Sequence, residues 1–396
     1  MQKTALICSG LLYCSFSHAS ALYFYEIATE DTALAGAGQA ARAQDASTIV
    51  TNPAGMTRLS QPTFTGGLQV MGGDIDYQLD NSGKQSPGNV MNLFPNASGF
   101  YSQKISDNLF AGLGLYGNYG LGIDFGNWAG DRLIDKSTMV AMTLSPSMAW
   151  QVNQRLSVGA SINLNYGFLS LTRNVNDNDN DETEKDHDWA MSYRLGLLMQ
   201  LTDQTRAGIT WNSKTDYDFN IDAKARLPTE PNQEYHLPLS AQVRAPQQIM
   251  LSLVHDINKQ WSVMGDVGWQ DWSQFGAPRI VVADRKLDNN SRMKDTWHTA
   301  LGIQYRPTDL WRLNAGIAFD SSPYRDQSDV AVTLPTGDEW RFASGAQYQL
   351  SAASNIGVAV EYLHMQSSKV QSPAALAGSY DSPSLWFASV NYSYQF

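Results

Sequence analysis

The chain predicts an all-β fold, a fourteen-stranded antiparallel transmembrane β-barrel whose N-terminal segment is folded into the lumen as a hatch. Three observations predict it. Long segments alternate apolar with polar residues; the connections between them alternate between short turns and long polar loops; and the last segment ends in an aromatic residue, Phe396. Alternation with a period of two marks a sheet whose faces meet different solvents.

Residues 1–21 read as an export signal. Lys3 precedes an apolar stretch, Ala5 to Phe16, and Ser17-His18-Ala19-Ser20-Ala21 offers small residues for cleavage after Ala19 or Ala21. Tyr13 stands before Cys14 where a lipoprotein signal needs a small residue, so lipid attachment is not expected. Cys8 and Cys14 both fall in this leader, so the exported chain needs no disulfide framework. A net charge of −11 is too acidic for a phosphate-binding surface, which excludes nucleic acid as a partner. No apolar run after the leader is long enough for a spanning helix. A closed barrel is then the remaining way across a bilayer.

Residues 22–61 do not alternate. Ala33-Leu34-Ala35-Gly36-Ala37-Gly38-Gln39-Ala40-Ala41 is too small-residued to face lipid and suits close packing instead. A fourteen-stranded barrel is wider than its own side chains can fill, so this segment has a lumen to occupy.

Residues 62–396 form the barrel. Its strands are expected at 62–77, 91–105, 108–124, 137–152, 154–172, 188–202, 204–221, 246–257, 259–274, 292–306, 309–320, 338–351, 354–366 and 383–396. In Arg155 to Phe168 one parity holds Leu156, Val158, Ala160, Ile162, Leu164, Tyr166 and Phe168, and the other holds Ser157, Gly159, Ser161, Asn163 and Asn165. Trp297 to Tyr305 and Trp311 to Phe319 carry aromatics at both ends of the apolar parity, as interfacial girdles do. Such segments exceed the usual 5–6 residues of a soluble strand. Ser106-Asp107-Asn108, Thr202-Asp203-Gln204, Asn258-Lys259 and Pro307-Thr308-Asp309 are the short turns. Asn174 to Asp188, crowded with Asp and Glu, is expected as a solvated loop, and its spacing does not match a calcium-binding loop. Short helices or strand extensions are expected within 222–245 and 275–291. Neither a metal nor a cofactor is implied.

The stretch Ala33 to Leu59, with Gln44-Asp45-Ala46-Ser47-Thr48 and then Asn52-Pro53-Ala54-Gly55-Met56-Thr57, resembles the hatch of the FadL family of long-chain fatty-acid and hydrocarbon transporters. The resemblance runs along the mature chain. It includes Leu113-Gly114-Leu115-Tyr116 with Tyr119-Gly120, Gly265-Asp266-Val267 with Asp271-Trp272-Ser273, and Ala315-Gly316-Ile317-Ala318 with Ser322-Pro323. It implies an outer-membrane protein of Gram-negative type that takes up hydrophobic molecules passively, fatty acids foremost. An aromatic or alkane hydrocarbon channel is the alternative. The terminal Phe396 resembles the signal read by the barrel assembly machinery, and outer-membrane lipids and lipopolysaccharide would surround a monomer.

In that family the Asn-Pro-Ala segment lies near a kink in the third strand that opens a lateral path, which points to Asn52, Pro53 and Ala54. The same residues also read as a helix start, with Asn as N-cap and Pro in the first helical position. Gly112, Gly114, Gly117, Gly120 and Gly122 permit a bulge in the third strand, expected at Gly117, Asn118, Tyr119 and Gly120. Family members often place a Pro where this chain has Asn118. Parity puts Arg194, His298, Arg312 and Arg341 in the lumen as candidates for a carboxylate head group, with Asp266 and Glu361 as possible partners. The competing reading is that these charges pin the hatch. A lipid hydrolase using His298 or His364 lacks a Gly-x-Ser-x-Gly motif, so no enzyme is expected.

Overall fold

The computed structural model describes residues 24–396 apart from Ser82, 132–133, 177–179, 228–229, 275–279, 283–284, 288–292, 329 and 372–373; the expected leader lies outside the described residues. Fourteen strands close into one antiparallel barrel. They are β1 (Thr63–Asp74), β2 (Phe94–Lys104), β3 (Leu109–Asp124), β4 (Lys136–Gln151), β5 (Leu156–Asn176), β6 (Asn180–Gln200) and β7 (Thr205–Asn212). The second half comprises β8 (Gln248–Asp256), β9 (Trp261–Gln270), β10 (Thr296–Thr308), β11 (Trp311–Asp320), β12 (Glu339–Ser351), β13 (Ser354–Met365) and β14 (Ser384–Gln395). Pairing of β14 with β1, from Thr63↔Gln395 to Asp74↔Ser384, joins the first and last strands and closes the barrel.

Alternation becomes two faces. Along β13 Val358, Val360 and Tyr362 are exposed to the membrane, whereas Ala359, Glu361 and Leu363 are buried inside. Trp261 stacks on Tyr305 at 4.2 Å and Trp311 lies 4.7 Å from Tyr348, forming a girdle on the short-turn side. Phe319 with Trp340, and Tyr166 with Trp189, both at 5.0 Å, form its counterpart on the long-loop side.

Two expectations need correction. The acidic stretch 174–188 is not a loop: β5 and β6 stay paired out to Asn176↔Asn180. Twenty-one residues per strand reach roughly 70 Å at about 3.3 Å per residue, far beyond the apolar band. The projecting hairpin meets no lipid there, and Asp186 and Asp188 accept from the N–H groups of Asn220 and Asp218, so no apolar parity reveals the strands. Secondly, β7 does not run to 221. It stops at Asn212, opposite the first residue of β8, Gln248, beyond which there is no wall strand on that side to pair with. Residues Thr215–Leu227 pair instead with Glu230–Ala245 in a separate sheet above the barrel.

The lumen holds Phe24 to Leu59, nearly all of it buried, with two short helices, α1 (Thr29–Ala33) and α2 (Thr48–Thr51), and a 3-10 turn over Pro53–Arg58. Tyr77, Trp128, Leu334 and Tyr380 form an apolar core among the long-loop elements.

Candidate functional site

Small wall residues let the hatch backbone approach the strands. A Cβ at Gly208 of β7 would lie 1.8 Å from the Ala40 carbonyl oxygen, and one at Gly316 of β11 would lie 2.0 Å from that of Leu34. Polar wall residues then satisfy the hatch amides, which have no sheet partner of their own. Asp266 accepts from the N–H groups of Gly38 (3.0 Å) and Gln39 (3.2 Å), and Ser252 from that of Ala40 (2.9 Å). Arg206 donates to the carbonyls of Ala41 and Arg42.

Asn52-Pro53-Ala54 shows the helix-start geometry. Asn52 Oδ1 accepts from Ala54 N–H at 3.0 Å, with Pro53 at the first position of the turn. Its Nδ2 donates to the carbonyls of Ala40 (2.6 Å) and Leu197 on β6 (3.0 Å), so one side chain ties two hatch segments to the wall. The motif fits between Gly159 of β5 and Gly196 of β6; a Cβ on either would come within 2.3 Å of it.

The third strand does bulge. On its β4 side the register shifts between Gly117 and Tyr119, with Asn118 as the extra residue. On its other side, pairing with β2 ends at Ser98↔Tyr116 although β3 continues to Asp124. Contact resumes at the single bridge Met91↔Ile123, leaving a stretch of wall between 92–97 and 117–122 without ladder pairs. The Phe94 ring lies across Gly120 and Gly122, and Phe24 of the hatch packs against Gly120 from inside. Phe24 N–H donates to the Asn118 carbonyl at 3.2 Å. The hatch residue at the gap is therefore Phe24. Asn52-Pro53-Ala54 sits against Gly159, six residues from Asn165, whose register partner Thr143 holds Asn118, or roughly 20 Å along the strand at about 3.3 Å per residue. The expected proximity of motif and kink does not hold.

All four candidate cations face inward, but they are not equivalent. Arg312 pairs with Glu30 of α1, whose other oxygen accepts from Asn314 at 3.0 Å. Arg341 is surrounded by Glu26, Asp320, Glu339 and Glu361. His298 holds Asp320 at 2.8 Å and stacks on Tyr25 with ring centres 4.3 Å apart. These three are committed to carboxylates and to the hatch. Arg194, 3% exposed, contacts Asn212 (2.5 Å) and the Tyr116 hydroxyl (3.2 Å), and among the described residues it meets no carboxylate. It lines a polar recess with Asn118, Tyr119, Asn163, Ser192 and Gln248, next to the gap.

Sequence reasoning missed Glu26, Glu30 and Phe24, which lie in a segment with no period to read. It also missed Asp320 and Glu339, which share the inward parity of Arg312 and Arg341 and were legible on that ground.

A family model described as outer membrane protein transport protein (OMPP1/FadL/TodX) matches residues 10–396. The long-chain fatty acid transport protein of Escherichia coli K12 is 24% identical over 449 residues, covering 100% of this chain and 98% of its own length. Outer membrane protein P1 of Haemophilus influenzae is 25% identical, covering 93% and 90%. Among solved structures, a Pseudomonas aeruginosa FadL homologue superposes with a TM-score of 0.80 at 17% identity, over 95% of this chain and 99% of the other. The P. putida toluene transporter TodX gives 0.73 at 18%, over 96% and 99%.

Proposed function

Because the chain belongs to the OMPP1/FadL/TodX family of outer-membrane transport proteins, we propose that it passes hydrophobic molecules, long-chain fatty acids foremost, through the hatch-filled lumen and out sideways at the Asn118 bulge. The observation that carries this reading is the unpaired stretch of wall between β2 and β3. A polar lumen floor is a poor route for an alkyl chain, because burying unmatched polar groups against it is costly. A gap in the outer half, flanked by Phe24, Phe94 and Leu121, leads instead into lipid. Cargo enters between the outer-loop elements that enclose the apolar core, and the Phe24 tip must move for it to leave.

Arg194 favours an acid over a hydrocarbon cargo. Among the described residues it is the candidate cation that meets no carboxylate, and a guanidinium grips a carboxylate by two parallel hydrogen bonds. Toluene, for which TodX is named a transporter, would leave it unused. Catalysis has no place in this reading, and His298 is already stacked under Tyr25. Phe396 serves as the assembly signal.

Deletion of Asn118 removes the extra residue and restores continuous register with β4. Uptake of a long-chain fatty acid by cells carrying this variant should fall to background while the barrel's melting temperature stays unchanged. Uptake at the parental rate would reject the lateral exit. Arg194→Leu should weaken fatty-acid uptake and leave toluene uptake alone; equal loss of both would reject the head-group role.

A further inference from the structure

The N-terminal tip of the hatch is gripped by charge. Glu26 enters a cluster built by four consecutive wall strands: His298 on β10, Asp320 on β11, Glu339 and Arg341 on β12, and Glu361 on β13. Tyr25 lies between the His298 ring and the Arg341 guanidinium, 5.3 Å from the latter, and its hydroxyl accepts from Gln270 at 2.8 Å. Every titratable member is at least 90% buried.

Most of the bonding capacity is accounted for. Asp320 takes His298 on one oxygen and Arg341 Nε on the other, at 2.8 Å each. Glu339 takes the Thr336 hydroxyl at 2.7 Å and Arg341 Nη2 at 3.0 Å. Arg341 Nη1 serves Glu26 and Glu361 together. That leaves three buried atoms of the cluster without a protein partner, Oε2 of Glu26, Oε2 of Glu361 and Nε2 of His298, and the two carboxyl groups have Arg341 Nη1 as their common donor. Even with His298 charged, two cations face four carboxylates. A buried surplus of that size is not sustained as bare charge, and two carboxyls gathered on one donor nitrogen relieve it by sharing a proton.

We infer that this cluster is a proton-operated latch: the hatch tip docks with a shared proton between Glu26 and Glu361, and rising pH releases it. The sign follows from proton counting. When the tip leaves, the Glu26 carboxyl passes into water, where its charge is solvated, and one carboxyl fewer competes with Asp320, Glu339 and Glu361 for Arg341. The docked state therefore binds more protons at neutral pH than the released one. Docking weakens as pH rises, by up to tenfold per pH unit for one proton. Phe24, two residues before Glu26, lies at the wall gap, so the latch would set how readily the exit clears; this last link rests on the lateral-exit reading above.

The two cysteines fall in the expected leader, so a single reporter thiol can be placed cleanly. Phe24→Cys protein taken from outer membranes, with the leader that carries Cys8 and Cys14 removed, is spin-labelled with a nitroxide and reconstituted in phospholipid bilayers, and its mobile fraction is read between pH 5 and pH 9. The mobile-to-immobile ratio should rise with pH, by up to tenfold per unit where the cluster titrates. Adding Glu361→Gln, which supplies a permanent donor to Glu26, should flatten that curve and keep the tip immobile. A ratio unchanged from pH 5 to pH 9, or a pH dependence identical in the Glu361→Gln background, overturns the latch. Glu26→Gln is the second probe and should flatten the curve in the same way; a steep curve retained there overturns it too. A tip that loosens with pH while fatty-acid uptake is indifferent to Asn118 deletion supports the latch and rejects the lateral exit.

Discussion

The hatch is held in two ways at its two ends. From Ala33 to Arg58 its backbone lies against glycine-notched wall and is stitched by neutral or backbone-directed hydrogen bonds, such as those of Asn52, Ser252 and Asp266. From Phe24 to Glu30 it is held by ion pairs, Glu26 to Arg341 and Glu30 to Arg312, beside a gap in the wall. Close packing depends on shape and has no chemical switch. An ion-pair cluster depends on the balance of charges and protons, so it can be undone without unfolding anything. The body of the hatch is thus held to the wall by shape and its tip by charge.

Three substitutions probe that division of labour. The largest effect is expected from Gly208→Val. Its Cβ would meet the Ala40 carbonyl oxygen, a backbone atom, at 1.8 Å, so relief must displace the hatch body and exceed the roughly 1–3 kcal/mol of ordinary overpacking. Ion conductance across planar bilayers should rise well above that of the parent. Conductance at the parental level would show that the body, too, can yield.

Arg341→Met comes next. It removes the guanidinium that four buried carboxyl groups share, a loss of about 3–5 kcal/mol when a buried pair is broken from one side. The loss should fall on the tip, so amide hydrogen exchange should accelerate in residues 24–30 and stay near parental in 44–58. Equal acceleration in both segments would mean that the hatch moves as one piece. Asn52→Ala should do the reverse on a smaller scale. It removes the turn's cap and two donors, about 2 kcal/mol together, and should speed exchange in 48–58 while leaving the tip immobile.

Much of the barrel was legible because a membrane forces a period on the sequence. All fourteen wall strands overlap the ranges that alternation marks out, and the bulge sits within the glycine-rich run at Asn118. Legibility ended where that constraint ended. The hairpin that β5 and β6 raise above the membrane reads as an acidic loop because neither of its faces meets lipid and its acids bond the neighbouring Thr215–Leu227 strand. Among the site residues, parity correctly turned Arg194, His298, Arg312 and Arg341 inward, but it could not say which would meet a carboxylate. Their partners Glu26 and Glu30 are some 280 to 315 residues away along the chain.

Local spacing against a layered solvent was therefore enough to set the barrel, its strand count, its girdles and the inward parity of the charged residues. The remainder depended on closure of the sheet. Closure placed Asn52-Pro53-Ala54 against β5 and β6, brought Phe24 to the gap beside β3, and committed three of four cations to hatch and wall. A lumen segment has no solvent to alternate against, so nothing in its own spacing fixes where it lies. Its position is set by which wall glycines leave room and which wall charges need a partner, and both become visible only in the closed barrel.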